Sequence, residues 1–165
     1  MKEPYKVCGK DESPKLKESD IHVLTQKALE SPRLRYAEIL HNAGDKFNRV
    51  INCISRNSYM RPHLHPAPEK IEQITVLHGS LCLFFFGDQG QIVKSKILSE
   101  NGEHFISVPA FSWHTYVILT DYAVTYETMM GAYDPKTWKT MAKWAPDETS
   151  VERFLFLKNL QNISK

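Results

Sequence analysis

A chain of 165 residues that is 42% hydrophobic, 24% charged and 11% aromatic, with a net charge of +2, has enough apolar material for one core. Collagen-like, mucin-like and disordered chains are excluded, because they need an excess of Gly or Pro or a shortage of large apolar residues. With no apolar run near the ~20 residues of a membrane span, no apolar leader in MKEPYKVCGKDESPKLKESD and no stripe of Lys and Arg, the expectation is a soluble, cytoplasmic protein without a membrane or nucleic-acid partner.

Residues 1–18 are polar and patternless, and a flexible tail is expected there. Ser19 and Asp20 are placed to cap a helix over Ile21–Glu30, with Ile21, Leu24, Ala28 and Leu29 on one stripe. Ser31-Pro32 restarts the chain, and Arg33–His41 is predicted to form a second short helix. Residues 19–48 therefore read as a helical elaboration.

From Arg49 the pattern changes to short β-branched and aromatic runs: RVINCIS, SYMRPHLH, IEQITVLHG, SLCLFFFG, QIVKSKIL, HFISVP, HTYVILT and YAVTYETMM. Turn signals at Gly79, Gly87–Gly90, Asn101-Gly102 and Thr120-Asp121 separate them. Residues 49–131 are thus expected to form an all-β antiparallel barrel or sandwich. Residues 132–165 read as a loop followed by a C-terminal helix that carries Val151, Phe154, Leu155 and Leu160. Cys8, Cys53 and Cys82, an odd number without a CxxC, point to reduced thiols rather than a disulfide framework.

Seven histidines are present, and their placement is uneven. His63 and His65 lie two apart in a strand-like run, so their imidazoles share a face. If 66–70 is a tight turn, an antiparallel return brings Glu72 beside them, and His114 opens the run HTYVILT. Three imidazoles and a carboxylate suit a divalent Fe, Mn, Co, Ni, Cu or Zn ion. Glu69 is a competing carboxylate at shorter spacing. His22, His41, His78 and His104 lack such company and read as surface or packing residues.

The run His63-x-His65, Glu72, x6, Gly79 resembles the first motif of the cupin superfamily, and Gly102-x6-Pro109-x4-His114 resembles its second. The sequence is more specifically similar to the WbuC-type cupin-fold metalloproteins, found in some polysaccharide gene clusters. That likeness is carried by Ser31-Pro32-Arg33-Leu34-Arg35, His41, Ser58-Tyr59, Arg61-Pro62-His63-x-His65-Pro66, Trp113-His114-Thr115, Gly131-x-Tyr133-Asp134-Pro135 and Trp144-Ala145-Pro146-Asp147-Glu148. It implies a small antiparallel jelly-roll (cupin) barrel with His63, His65, Glu72 and His114 as metal ligands, and a homodimer. Three departures stand out: a longer gap between His65 and Glu72, and Phe111 and Ile118 where the second motif has Gly and Asn.

Two further residues are candidates for chemistry. Arg61 shares parity with His63 and His65, so its guanidinium is placed to clamp an anionic group at the barrel mouth. Tyr116 shares parity with His114 and can act as hydrogen-bond donor or general acid. Arg33 and Arg35 are placed to close over the mouth, whereas Tyr59, Tyr126, Phe84 and Phe86 read first as packing. The resemblance implies a metal-dependent isomerase, epimerase or oxygenase acting on a small polar ligand, anionic or sugar-like. The alternative is a non-catalytic sensor or structural module that binds metal or a small ligand.

Overall fold

The computed structural model describes residues 13–164. Most of the tail expected over 1–18, with Cys8, lies outside that range. The first helix, α1 (Glu18–Glu30), starts slightly earlier than expected. Asp20 does not cap it from outside but sits in its first turn and accepts the Lys17 N–H at 2.8 Å. Leu24 and Ala28 are its buried stripe, while Leu29 is turned to solvent.

The second helix predicted over Arg33–His41 is a strand, β1 (Arg35–Ile39). Leu34 has φ 54°, a left-handed conformation that interrupts a helix, and the segment pairs along its whole length with β2 (Phe47–Ser55). Long-range pairing overrides a local preference that a short segment holds only weakly. The strands that follow are β3 (His63–Leu64), β4 (Glu72–His78), β5 (Ser80–Phe86), β6 (Ile92–Ser99), β7 (Phe105–Val108), β8 (Trp113–Ile118), β9 (Tyr122–Met130) and β10 (Thr140–Met141). The C-terminal helix is α2 (Glu152–Ile163).

These strands form two five-stranded antiparallel sheets, in the orders β1-β2-β9-β4-β7 and β10-β3-β8-β5-β6. Their facing sides close over Ile54, Ile74, Leu81, Leu83, Leu98 and Ile118, among other buried residues. α1 covers the outside of the first sheet on Ile51, Cys53, Val124 and Tyr126. α2 covers the outside of the second, setting Leu157 and Leu160 on Cys82, Phe84, Phe86 and Val117. Cys53 and Cys82 are free and buried in these outer layers.

Gly79 carries the chain from one sheet to the other. Its φ is +76°, and a Cβ there would stand 2.5 Å from the Tyr122 carbonyl oxygen, so only glycine fits the corner. The predicted hairpin between the His63 and Glu72 strands does not form. β3 pairs with β8 and β10, whereas β4 pairs with β7 and β9 in the opposite sheet. Pro66 and Pro68 lack the N–H groups a ladder needs, and the connection crosses the sandwich instead.

Candidate metal centre

His63 and His114 are register partners on β3 and β8, His65 follows just past β3, and Glu72 heads β4 of the other sheet. One donor atom from each of the four lies within 4.8 Å of all the others, and all four residues are buried. Glu69 is exposed and stands outside the cluster.

Each imidazole is held by its Nδ1. The acceptors are backbone carbonyls: Arg61 for His63 at 3.0 Å, Trp138 for His65 at 2.9 Å and Ser112 for His114 at 2.8 Å. A carbonyl only accepts, so Nδ1 carries a proton, and Nε2 is the nitrogen that faces the cluster and would bind a metal. Glu72 Oε2 stands 3.0 Å from Nε2 of His114 and 3.6 Å from that of His65. Nε2 of His65 is buried and has no hydrogen-bond partner among the described residues. Three Nε2 atoms and a carboxylate oxygen gathered at one point are a donor set that a metal cation satisfies.

Burial, aided by His114 and Lys139, holds the His63 pKa well below its ordinary value, so the ring is neutral. Burial alone would raise Glu72, but its contacts with His114 and His65 outweigh that and hold its carboxyl well below the usual range. A neutral imidazole and an ionised carboxylate are the forms in which such groups bind metal. The donor set therefore fits a divalent transition metal.

The four donors line a cavity of ≈ 360 Å³ inside the sandwich. Tyr116 lines it too, and its hydroxyl donates to Glu127 Oε1 at 2.7 Å. Arg61 does not reach it. Strand parity stops at His63, since residues 58–62 are irregular, and the guanidinium donates to the Ala142 carbonyl at 3.0 Å and to Asp147 at 2.9 Å. The arginines at the mouth are Arg33 and Arg35, both bonded to Glu148.

Glu127, Asn52 and Lys139 are among the cavity residues that no sequence motif singles out. Glu127 Oε1 accepts from Thr125 at 2.9 Å as well as from Tyr116, and Oε2 accepts from Asn52 at 2.7 Å. Burial and the nearby Glu72 push its carboxyl up to about 7. A single acidic residue inside the strand YAVTYETMM was the available signal. Tyr126 packs under α1, and Tyr59, Phe84 and Phe86 pack in the layer under α2, so those aromatics are structural.

Residues 16–98 match the family model described as "Domain of unknown function (DUF6016)". The chain belongs to this family. The matched stretch runs from α1 into β6 and includes His63, His65 and Glu72, while His114, Tyr116 and Glu127 of this DUF6016 member lie beyond it. No curated protein matches the sequence.

Among solved structures, the chain is similar to CapF bound to the inhibitor 3-isopropenyl-tropolone, with 15% identity and a TM-score of 0.53 over 64% of this chain and 34% of that one. It is also similar to the capsular polysaccharide assembling protein CapF of Staphylococcus aureus, at 19% identity and a TM-score of 0.51, covering 63% and 32% of the two chains. Procruciferin, an 11S globulin of Brassica napus, matches at 15% identity and a TM-score of 0.50, covering 62% and 27%. The DUF6016 chain thus spans about a third of the length of CapF. These are cupin-fold proteins, and the architecture shared with them is the double-sheet cupin jelly roll.

Proposed function

We propose that this protein is a metal-dependent enzyme of the cupin fold, acting on a small polar metabolite held in the cavity. His63, His65, Glu72 and His114 would hold the metal. One observation carries the reading: three imidazoles with Nδ1 pinned to carbonyls, and one ionised carboxylate, turn their donor atoms into the same ligand-sized cavity. When bound, a divalent ion there would supply Lewis acidity toward a carbonyl or hydroxyl of the ligand.

The chain's own residues supply the rest. Glu127, with a carboxyl pushed up to about 7, is poised to give or take a proton near neutrality. Tyr116, Thr125 and Asn52 hold its two oxygens in place. Burial and Glu127 keep the Tyr116 phenol well above its ordinary pKa, so it serves as a fixed donor. Trp138 stands edge-on to His65 and shields that flank from water.

A volume of ≈ 360 Å³ is near the lower end for ligand pockets and matches a monosaccharide-sized molecule rather than a whole sugar nucleotide. The WbuC-type resemblance supports a sugar-related substrate of polysaccharide biosynthesis, handled in the cytoplasm by a homodimer. Metal analysis of the purified protein tests the reading, alongside the His63→Ala variant. Stoichiometric transition metal is expected in the wild type and its loss in the variant. No metal in the wild type, with His63→Ala leaving the melting temperature unchanged, would overturn it. Metal and ligand binding without turnover of any carbonyl or hydroxyl compound would assign the same cavity to a non-catalytic binding module.

A further inference from the structure

Arg33, Arg35 and Lys139 all line the cavity, and the carboxylate that pairs the two arginines is Glu148. Both arginines use it up. Nη2 of Arg35 donates to its two oxygens at 2.7 and 2.9 Å, and Nε and Nη2 of Arg33 donate at 3.0 and 3.3 Å. Arg35 spends Nη1 as well, on the Ser58 hydroxyl at 3.2 Å and the Tyr59 carbonyl at 2.8 Å. Arg35 is therefore a structural strut.

Lys139 is different. It is half-buried, yet its ammonium has no hydrogen-bond or ion-pair partner among the described residues. The charges it feels are those of Glu148 and Arg33, which bond one another, and of Glu72 and Glu127, which line the same cavity. Burial outweighs those carboxylates and lowers its pKa, because the ammonium has lost water without a directly bonded counterion. Its position is tied to the candidate metal centre, because the carbonyl of the preceding Trp138 orients His65 at 2.9 Å.

We propose that Lys139, with the unengaged edge of Arg33, is an anion-binding subsite, and that the ligand of this cavity is a small organic anion. Its charged group lies on Lys139 at the mouth, and its polar end lies toward Glu127, Tyr116 and the histidines. A carboxylate and a phosphate ester share the required chemistry, and the cavity volume of ≈ 360 Å³ limits the rest of the molecule to monosaccharide size or less. The inference rests on the reading of this cavity as a ligand site, and it names the class of ligand.

Calorimetric titration of the purified full chain with malonate, glycerol 3-phosphate and uncharged glycerol tests it. At least one anion is expected to bind about tenfold more tightly than glycerol, and the stronger of the two identifies the charged group. Lys139→Met should weaken that anion by about tenfold, while Lys139→Arg, which retains the charge, should change it by less than about threefold. If Lys139→Met fails to fold, Lys139→Gln carries the same expectation. Equal anion binding by wild type and the uncharged variant, or no preference over glycerol, overturns the proposal. Metal content measured on the same samples separates the two readings. Metal-free protein with Lys139-dependent anion binding sinks the metal centre alone, and metal-loaded protein with no anion preference sinks the subsite alone.

Discussion

The Tyr116 hydroxyl, on β8 of one sheet, donates to Glu127 on β9 of the other at 2.7 Å, so this hydrogen bond ties the two layers together inside the cavity. It places a tyrosine expected from sequence on a glutamate that was not. The pair also makes stability depend on pH.

The Glu127 carboxyl is pushed up from 4.5 to about 7, chiefly by burial and then by Glu72. Between those pH values the folded protein keeps a proton that the unfolded chain has released, so folding stability falls as pH rises through the window. In metal-free protein, wild type should lose stability relative to Glu127→Gln by at most about 3 kcal/mol across it. Chemical denaturation of both proteins at several pH values measures this. A difference that stays flat with pH would mean that Glu127 is an ordinary carboxylate.

Metal removal separates the two candidate carboxylates. Saturating metal, at about a hundredfold over its Kd, should stabilise the wild type by ~2.7 kcal/mol, and a chelator should reverse it. Glu69→Gln should behave as wild type, since Glu69 is exposed, whereas Glu72→Gln should lose most of the shift. Thermal melts with and without chelator decide, and an unchanged shift in Glu72→Gln would exclude it as a ligand.

Phe111 occupies the place of a motif glycine and keeps the glycine's backbone, with φ 61° and its N–H donated to the His65 carbonyl at 3.0 Å. Its side chain is exposed, so little packing offsets the strain. Phe111→Gly should be more stable than Phe111→Ala by about 1 kcal/mol, because alanine retains the steric conflict and glycine removes it. Equal unfolding midpoints for the two variants would show that no strain resides there.

Arg33 and Arg35 share Glu148 but differ in burial, with side chains 57% and 13% exposed. Arg35→Ala removes two of the four hydrogen bonds to a half-buried carboxylate and leaves the Tyr59 carbonyl without its donor, and a loss of about 2 kcal/mol is expected. Arg33→Ala should cost less than about 1 kcal/mol. Comparable losses in urea denaturation would mean that exposure does not set their worth.

The same contacts bring separated sequence segments together in space. Ser58 Oγ donates to the Arg33 carbonyl at 2.7 Å, Tyr59 donates to the Pro146 carbonyl at 2.9 Å, and Arg61 pairs with Asp147. The segments SPRLR, SY, RPH and WAPDE are thus interlocked by direct contacts. Arg61 was expected to clamp a ligand because parity was extended past the end of a strand only two residues long. Lys139, from a loop with no periodic pattern, holds the place of the unpaired cation instead.

What the sequence by itself determined was the chemistry of the donors and the double-sheet architecture. Imidazole spacing along a strand, alternating apolar runs and a glycine that a tight corner demands are all local properties, and local properties are written in order along the chain. Tertiary structure alone decided that Glu72 meets the histidines across the sandwich instead of beside them, and that Arg35–Ile39 is a strand. It also decided that Glu127, Asn52 and Tyr116 share one network, and that Lys139 is left without a counterion among the described residues. Those outcomes depend on which distant backbones pair and which charges are already taken, and no window of neighbouring residues contains that information.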